Sequence, residues 1–199
     1  MRVALFGGTF DPPHRGHIGI ATAAADAFSL DTVLFTPTGR QPLKPMGTPT
    51  PFADRLAMVT LACQPDPRFG ISNLDEPRPD GLPNYTVDTL SRLHQLMPGA
   101  TLFNLVGADS FFDLPRWREP NRLLELAEWI VVSRPGFPLE DMSSLNLTSH
   151  QRSRVHLLQT SHYDLSATEL RERLQSGDAC PDLLSPAVAN YIHTHHLYQ

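Results

Sequence analysis

The chain has 199 residues, enough for one domain with a sizeable core, or for one domain with a modest helical extension. Its net charge of −5 excludes a broad basic field for nucleic acid but leaves room for a phosphorylated ligand held by local donors. Cys63 and Cys180 lie far apart with no C-x-x-C pair, which argues against a cysteine zinc site, and no apolar run approaches the roughly 20 residues of a membrane span. The N-terminus lacks a basic, apolar, cleavable leader, so free thiols in a reducing cytoplasm are expected.

Val3-Ala4-Leu5-Phe6 is a short apolar run stopped by Gly7-Gly8, which predicts a buried strand ending in a tight turn. A helix is expected over His17–Phe28, with Ile20, Ala21, Ala24, Ala25 and Phe28 on one face. Thr32–Thr36 is a second strand, so these segments form a βαβ unit with parallel strands. Residues 37–51 hold five prolines, two glycines, Arg40 and Lys44. Such a stretch cannot be a regular element; it reads as a mobile lid or binding loop, or as a plain surface loop. Helical spacing returns in Phe52, Leu56, Val59 and Cys63, and Phe69–Leu74 reads as a strand. Thr86–Met97 is an amphipathic helix through Val87, Leu90, Leu93 and Met97. Leu102–Val106 is an apolar strand running into Gly107-Ala108-Asp109. Asn121–Ala127 is a helix, and Trp129–Val132 and Val155–Gln159 are strands.

Ser166-Ala167-Thr168-Glu169 has the form of a capping box, opening a helix through Leu170 and Leu174 that Gly177 stops. Ser185-Pro186 opens another, carrying Val188, Tyr191, Ile192 and His195. The alternation of strands and helices predicts one doubly wound, parallel α/β domain over residues 1–199, with a helical C-terminal part over 166–199.

The chemistry concentrates in the segment from Gly7 to His17, between the first strand and its helix. Ligands of open parallel sheets bind at the carboxyl ends of strands. Gly7 and Gly8 let backbone amides approach a phosphate, and the helix start aims its free amides at the same place. His14 and His17 are three apart, so both can face an anion and donate to it, neutral or charged. Either histidine alone reads equally as a helix cap, or with Asp11 as half of a metal site; together in a glycine turn they read as a phosphate site. The glycines at 7, 8 and 16 do not make a G-x-G-x-x-G fingerprint, and no Gly-Lys-Ser/Thr occurs, which excludes a dinucleotide fingerprint and a P-loop. Ser166, Thr168 and Arg171 form a second set around a helix start, with hydroxyls, free amides and a guanidinium able to fork onto phosphate. Alone, that set is also an ordinary cap with a solvated arginine.

Gly8-Thr9-Phe10-Asp11-Pro12 through His14 and His17, followed by Leu165-Ser166-Ala167-Thr168-Glu169-Leu170-Arg171, resembles the paired signatures G-x-F-D-P-x-H-x-G-H and I-S-x-T-x-x-R of the nucleotidyltransferases. Tyr85-Thr86 leading to Leu90, Gly107-x-Asp109 with Leu114-Pro115-x-Trp117, and Val132-x-Arg134-Pro135-Gly136 extend the resemblance over nearly the whole chain, to the bacterial nicotinate-nucleotide adenylyltransferases. The resemblance implies a Rossmann-like fold and adenylyl transfer from ATP to nicotinic acid mononucleotide, with Mg²⁺ carried in by ATP. It implies His14 and His17 as catalytic, and an ATP site of Gly7, Gly8, Thr9, Phe10, His14, His17, Lys44, Ser166, Thr168 and Arg171. The acceptor would meet Asp11, Thr86, Asp109, Trp117 and Arg134, with no metal held by the protein. Trp117 would stack on the pyridine ring. From the residues alone, Trp117 also reads as a packed aromatic, Asp109 as a helix cap and Arg134 as a surface charge. Two positions depart from the family pattern: Leu43 stands where the loop usually has histidine, and Arg118 where an aromatic is frequent. Nicotinamide mononucleotide, phosphopantetheine and a non-catalytic nucleotide-binding role remain as alternatives, and oligomeric state is open.

Overall fold

The computed structural model describes residues 1–43, 50–133, 142–160 and 167–199. In chain order the elements are β1 (Arg2–Gly8), α1 (Arg15–Ala27), β2 (Thr32–Pro37), α2 (Phe52–Cys63), β3 (Phe69–Ile71), α3 (Thr86–Leu96), β4 (Thr101–Gly107), α4 (Ala108–Phe112), α5 (Pro120–Leu126), β5 (Glu128–Ser133), α6 (Ser149–Ser153), β6 (Val155–Gln159), α7 (Ala167–Gln175) and α8 (Pro186–Thr194). The strands form one six-stranded sheet in the order β3-β2-β1-β4-β5-β6, every pairing parallel. Because β1 lies between β2 and β4, the winding reverses at the β1–β4 boundary. A crevice opens there at the carboxyl ends of these strands.

Helices cover both faces, so the inner strands read as continuous apolar runs. Val3 to Phe6 of β1 are all buried, and alternate residues serve opposite faces. Ala4 and Phe6 join Phe35, Phe103 and Ile130 under Ala21, Ala24 and Ala25 of α1. Val3 and Leu5 join Trp129 and Val131 under Leu90 and Leu93 of α3 and Leu123 of α5. A third cluster joins α2 to the C-terminal helices through Met58, Ala62, Leu170, Leu184, Val188 and Ile192.

Local chemistry sets the ends of several elements. Ser185 Oγ accepts from the Val188 amide at 3.3 Å with Pro186 at the first helical position, a cap whose loss costs about 1 kcal/mol. Gly177 takes a left-handed φ of 87° just beyond α7, and Asp178 N–H returns to the Arg173 carbonyl. Helix α1 begins at Arg15, two residues before the expected start, because His14 is already its N-cap. Strand β3 is shorter than the expected Phe69–Leu74, since the chain turns at Ser72, whose Oγ accepts from the Leu74 amide. The short helices α4 and α6 carry too few turns to show periodicity in the sequence. Among the described residues no helix is long and apolar enough to cross a membrane.

Candidate active site

The turn after β1 is built on a buried ring. Phe10 is 2% exposed with a left-handed φ of 48°, and it packs against Phe6, Phe35 and His17. A Cβ on Gly8 would come within 2.9 Å of that ring, so only glycine fits there. Gly7 differs: a Cβ would meet nothing within 4 Å, and the residue lines an open cleft. Gly7 therefore keeps room for a ligand, while Gly8 makes room for Phe10. The Phe10 side chain supports the turn from beneath and is not among the residues lining the cleft.

His14 and His17 stand side by side with ring centroids 3.8 Å apart. The His14 backbone N–H donates to His17 Nδ1 at 3.2 Å, which leaves the proton of a neutral His17 on Nε2. Burial pushes His14 down to about 4; burial, then the neighbouring His14, holds His17 well below 6.5. Both rings are therefore neutral in the free protein, and an arriving polyphosphate favours their protonation. His14 Nδ1 is buried without a hydrogen-bond partner among the described residues.

The fold brings the second signature to the first. From α7, Arg171 Nη1 donates to the Asp11 carbonyl at 2.8 Å, and Nη2 donates to Thr168 Oγ1 at 3.2 Å. Arg55, fully buried in α2, donates to the Thr9 carbonyl at 2.7 Å and to the Thr50 carbonyl at 3.2 Å. The turn is thus pinned from two helices. The Asp11 carboxylate is 1% exposed and accepts from the Tyr198 hydroxyl at 2.5 Å. Asp11 is not among the residues lining the cleft, and its carboxylate is bound to a residue near the end of the chain.

The cleft has a volume of about 520 Å³ and lies between the ends of β1 and β4. Thr86, Asp109 and Trp117 all line it. Thr86 opens α3, and Asp109 is exposed in the first turn of α4. Trp117 is half-buried, its ring 5.9 Å from that of Trp129. Arg118 lines the cleft with its guanidinium 4.8 Å from the Tyr85 ring centroid, so it packs on the aromatic that precedes Thr86. Asp75 also lines it; burial raises its carboxyl to about 6, and it accepts from Thr89 Oγ1. Gln41, Pro42 and Leu43 of the proline-rich stretch reach the cleft. Lys44, Arg134 and Ser166 lie outside the described residues. Among those described, no group of three or more histidine, cysteine or carboxylate side chains could hold a metal ion.

Sequence reasoning missed Arg55, Asp75, Asn104 and Tyr198. An asparagine inside an apolar strand is the signal that could have found Asn104.

The sequence matches the cytidylyltransferase-like family over residues 5–173. It is 41% identical over 199 residues to a protein of Thermomicrobium roseum named probable nicotinate-nucleotide adenylyltransferase, covering 100% of this chain and 92% of the relative. A protein of the same name from Roseiflexus sp. is 40% identical, covering 99% and 98%. The fold is similar to that of a Plasmodium falciparum nicotinic acid mononucleotide adenylyltransferase complexed with NaAD, with a TM-score of 0.79 at 19% identity over 99% of this chain and 97% of that one. With its two signatures joined through Arg171 and Asp11 beside an open cleft, the chain belongs to the nicotinate-nucleotide adenylyltransferase family.

Proposed function

We propose that this chain transfers the adenylyl group of ATP to nicotinic acid mononucleotide, forming deamido-NAD and pyrophosphate. The observation that carries the reading is the junction of Arg171 with the Asp11 carbonyl, which ties a cation to the turn that carries His14 and His17, while Gly7, Gly8 and Thr9 of that turn share a cleft with Trp117. A phosphate oxygen of the acceptor attacks the α-phosphorus of ATP. The bond to the bridging oxygen breaks, and pyrophosphate leaves with the electron pair. The attacking phosphate is already an anion at neutral pH, so the reaction needs no general base and no covalent enzyme intermediate.

Catalysis then consists of alignment and charge stabilisation. His17 offers Nε2–H to the phosphoryl oxygens, and His14 stands beside it. Arg171 and Thr168, with Lys44 and Ser166, would grip the outer phosphates; Trp117, Thr86 and Asp109, with Arg134, would place the acceptor. Mg²⁺ enters as part of the ATP substrate, held mostly by phosphates and waters, as that ion prefers. Cys63 and Cys180 are both free, which supports the cytoplasm as the place of work.

Incubation with Mg²⁺–ATP and nicotinic acid mononucleotide, with products identified by mass, tests the proposal. Deamido-NAD in equal yield with pyrophosphate is expected. Pyrophosphate with no dinucleotide, or no turnover, contradicts it.

A further inference from the structure

Strand β4 carries a polar side chain with no part in the scheme above. Asn104 sits between Phe103 and Leu105, opposite Leu5 of β1 and Trp129 of β5. It is 2% exposed, and its Nδ2 has no hydrogen-bond partner among the described residues. It also lines the cleft, alongside Leu5, Val106, Trp117 and Leu123.

Leu5, Leu102, Phe111 and Trp129 make that face of the sheet apolar, so a leucine at 104 would suit the packing better. An unpaired buried amide costs free energy that an apolar side chain of similar size avoids. Its presence in the wall of a cleft is therefore explained by a group that arrives with a ligand. The surroundings narrow that group. Apolar side chains and the Trp117 indole suit a heteroaromatic ring, and the buried Asn104 carboxamide beside them suits a polar substituent on the ring's edge.

We propose that Asn104 is a specificity-determining residue of the acceptor cleft, its carboxamide hydrogen-bonding the polar ring substituent of the acceptor mononucleotide. The inference rests on the acceptor reading given under the proposed function. An amide can donate from Nδ2 or accept at Oδ1. Asn104 thus selects a polar ring edge over an apolar one and leaves the choice between acid and amide to other groups.

Asn104→Leu and the smaller Asn104→Ala, each in the full chain, test this by steady-state kinetics and by thermal unfolding with and without nicotinic acid mononucleotide. The acceptor KM should rise about tenfold in both, the loss of one neutral hydrogen bond. The ATP KM should stay within about twofold, as befits a contact made to one substrate only. Without ligand, the Tm of Asn104→Leu should equal or exceed that of the wild type, while the stabilisation given by the mononucleotide shrinks. If the leucine variant does not fold, the alanine variant carries the kinetic test. An unchanged acceptor KM overturns the inference. So does a parallel rise of both KM values with a falling Tm, which marks a packing residue. A wild-type chain without turnover of this acceptor overturns the functional reading and this inference together; an active wild type matched by its variants overturns this inference alone.

Discussion

The Tyr198 hydroxyl donates to Oδ1 of Asp11 at 2.5 Å, joining residues 187 apart in the chain. Asp11 Oδ2 is buried with no hydrogen-bond partner among the described residues, so the carboxylate relies on this bond together with the charge of the buried Arg55. Burial, then the bond to Asp11, raises the Tyr198 hydroxyl well above its ordinary range, and it stays a donor at any working pH. Tyr198→Phe should cost about 1–3 kcal/mol, the penalty for stranding a buried acceptor. Urea unfolding measures it, and a variant as stable as the wild type would show that the carboxylate needs no partner there.

His17→Ala removes the Nε2–H that the proposed mechanism assigns to the reacting phosphates. The kcat should fall about 10²–10³-fold, the usual cost of one transition-state donor, with little change in the ATP KM. Near-normal turnover would remove His17 from the mechanism.

Trp117→Ala and Arg171→Ala separate the two substrates. Loss of the indole should raise the KM of the acceptor chiefly, and loss of the guanidinium the KM of ATP chiefly. Each shift is expected at about tenfold, the scale of one aromatic or charge-assisted contact. Steady-state kinetics with one substrate varied at a time reads both. The reverse pattern would exchange the two ends of the site.

Stability should depend on pH through His14. The unfolded chain takes up this proton near pH 6.5, but the folded chain refuses it until about 4. The contribution is thus complete above 6.5 and lost as pH falls through that window, about 3 kcal/mol in all. Asp75 acts in the opposite sense: with its folded carboxyl raised from 3.8 to about 6, its share is present at low pH and lost as pH rises through 6. The informative quantity is therefore a difference. His14→Gln should flatten the rise of stability between pH 4 and 6.5 relative to the wild type in parallel urea titrations. Equal slopes would mean that His14 titrates normally in the fold.

The glycine turn after the first strand and most strands were legible in the sequence because their signals are local. Gly7-Gly8 after Val3–Phe6 marks a strand end, and Ser185-Pro186 marks a helix start; both stand in the structure as expected. Tertiary partners explain what was not legible. The spacing in α2 suggests Phe52 and Leu56 as core, yet the fold buries Arg55 and Met58 instead. Arg55 finds its acceptor on Thr9, 46 residues away, and no pattern within the helix reports that. Asp11 lies inside the first signature, but its partner Tyr198 lies near the end of the chain. Asn104 was hidden within the apolar run Leu102–Val106, where hydrophobic neighbours masked one amide.

Pyrophosphate release from Mg²⁺–ATP, with nicotinic acid mononucleotide, nicotinamide mononucleotide and phosphopantetheine supplied separately, tests the central claim most directly. The proposed function predicts release with the nicotinate form far above the other two. Preference for either other acceptor would leave the phosphoryl chemistry standing and overturn the acceptor assignment, and no release with any of the three would contradict adenylyl transfer itself.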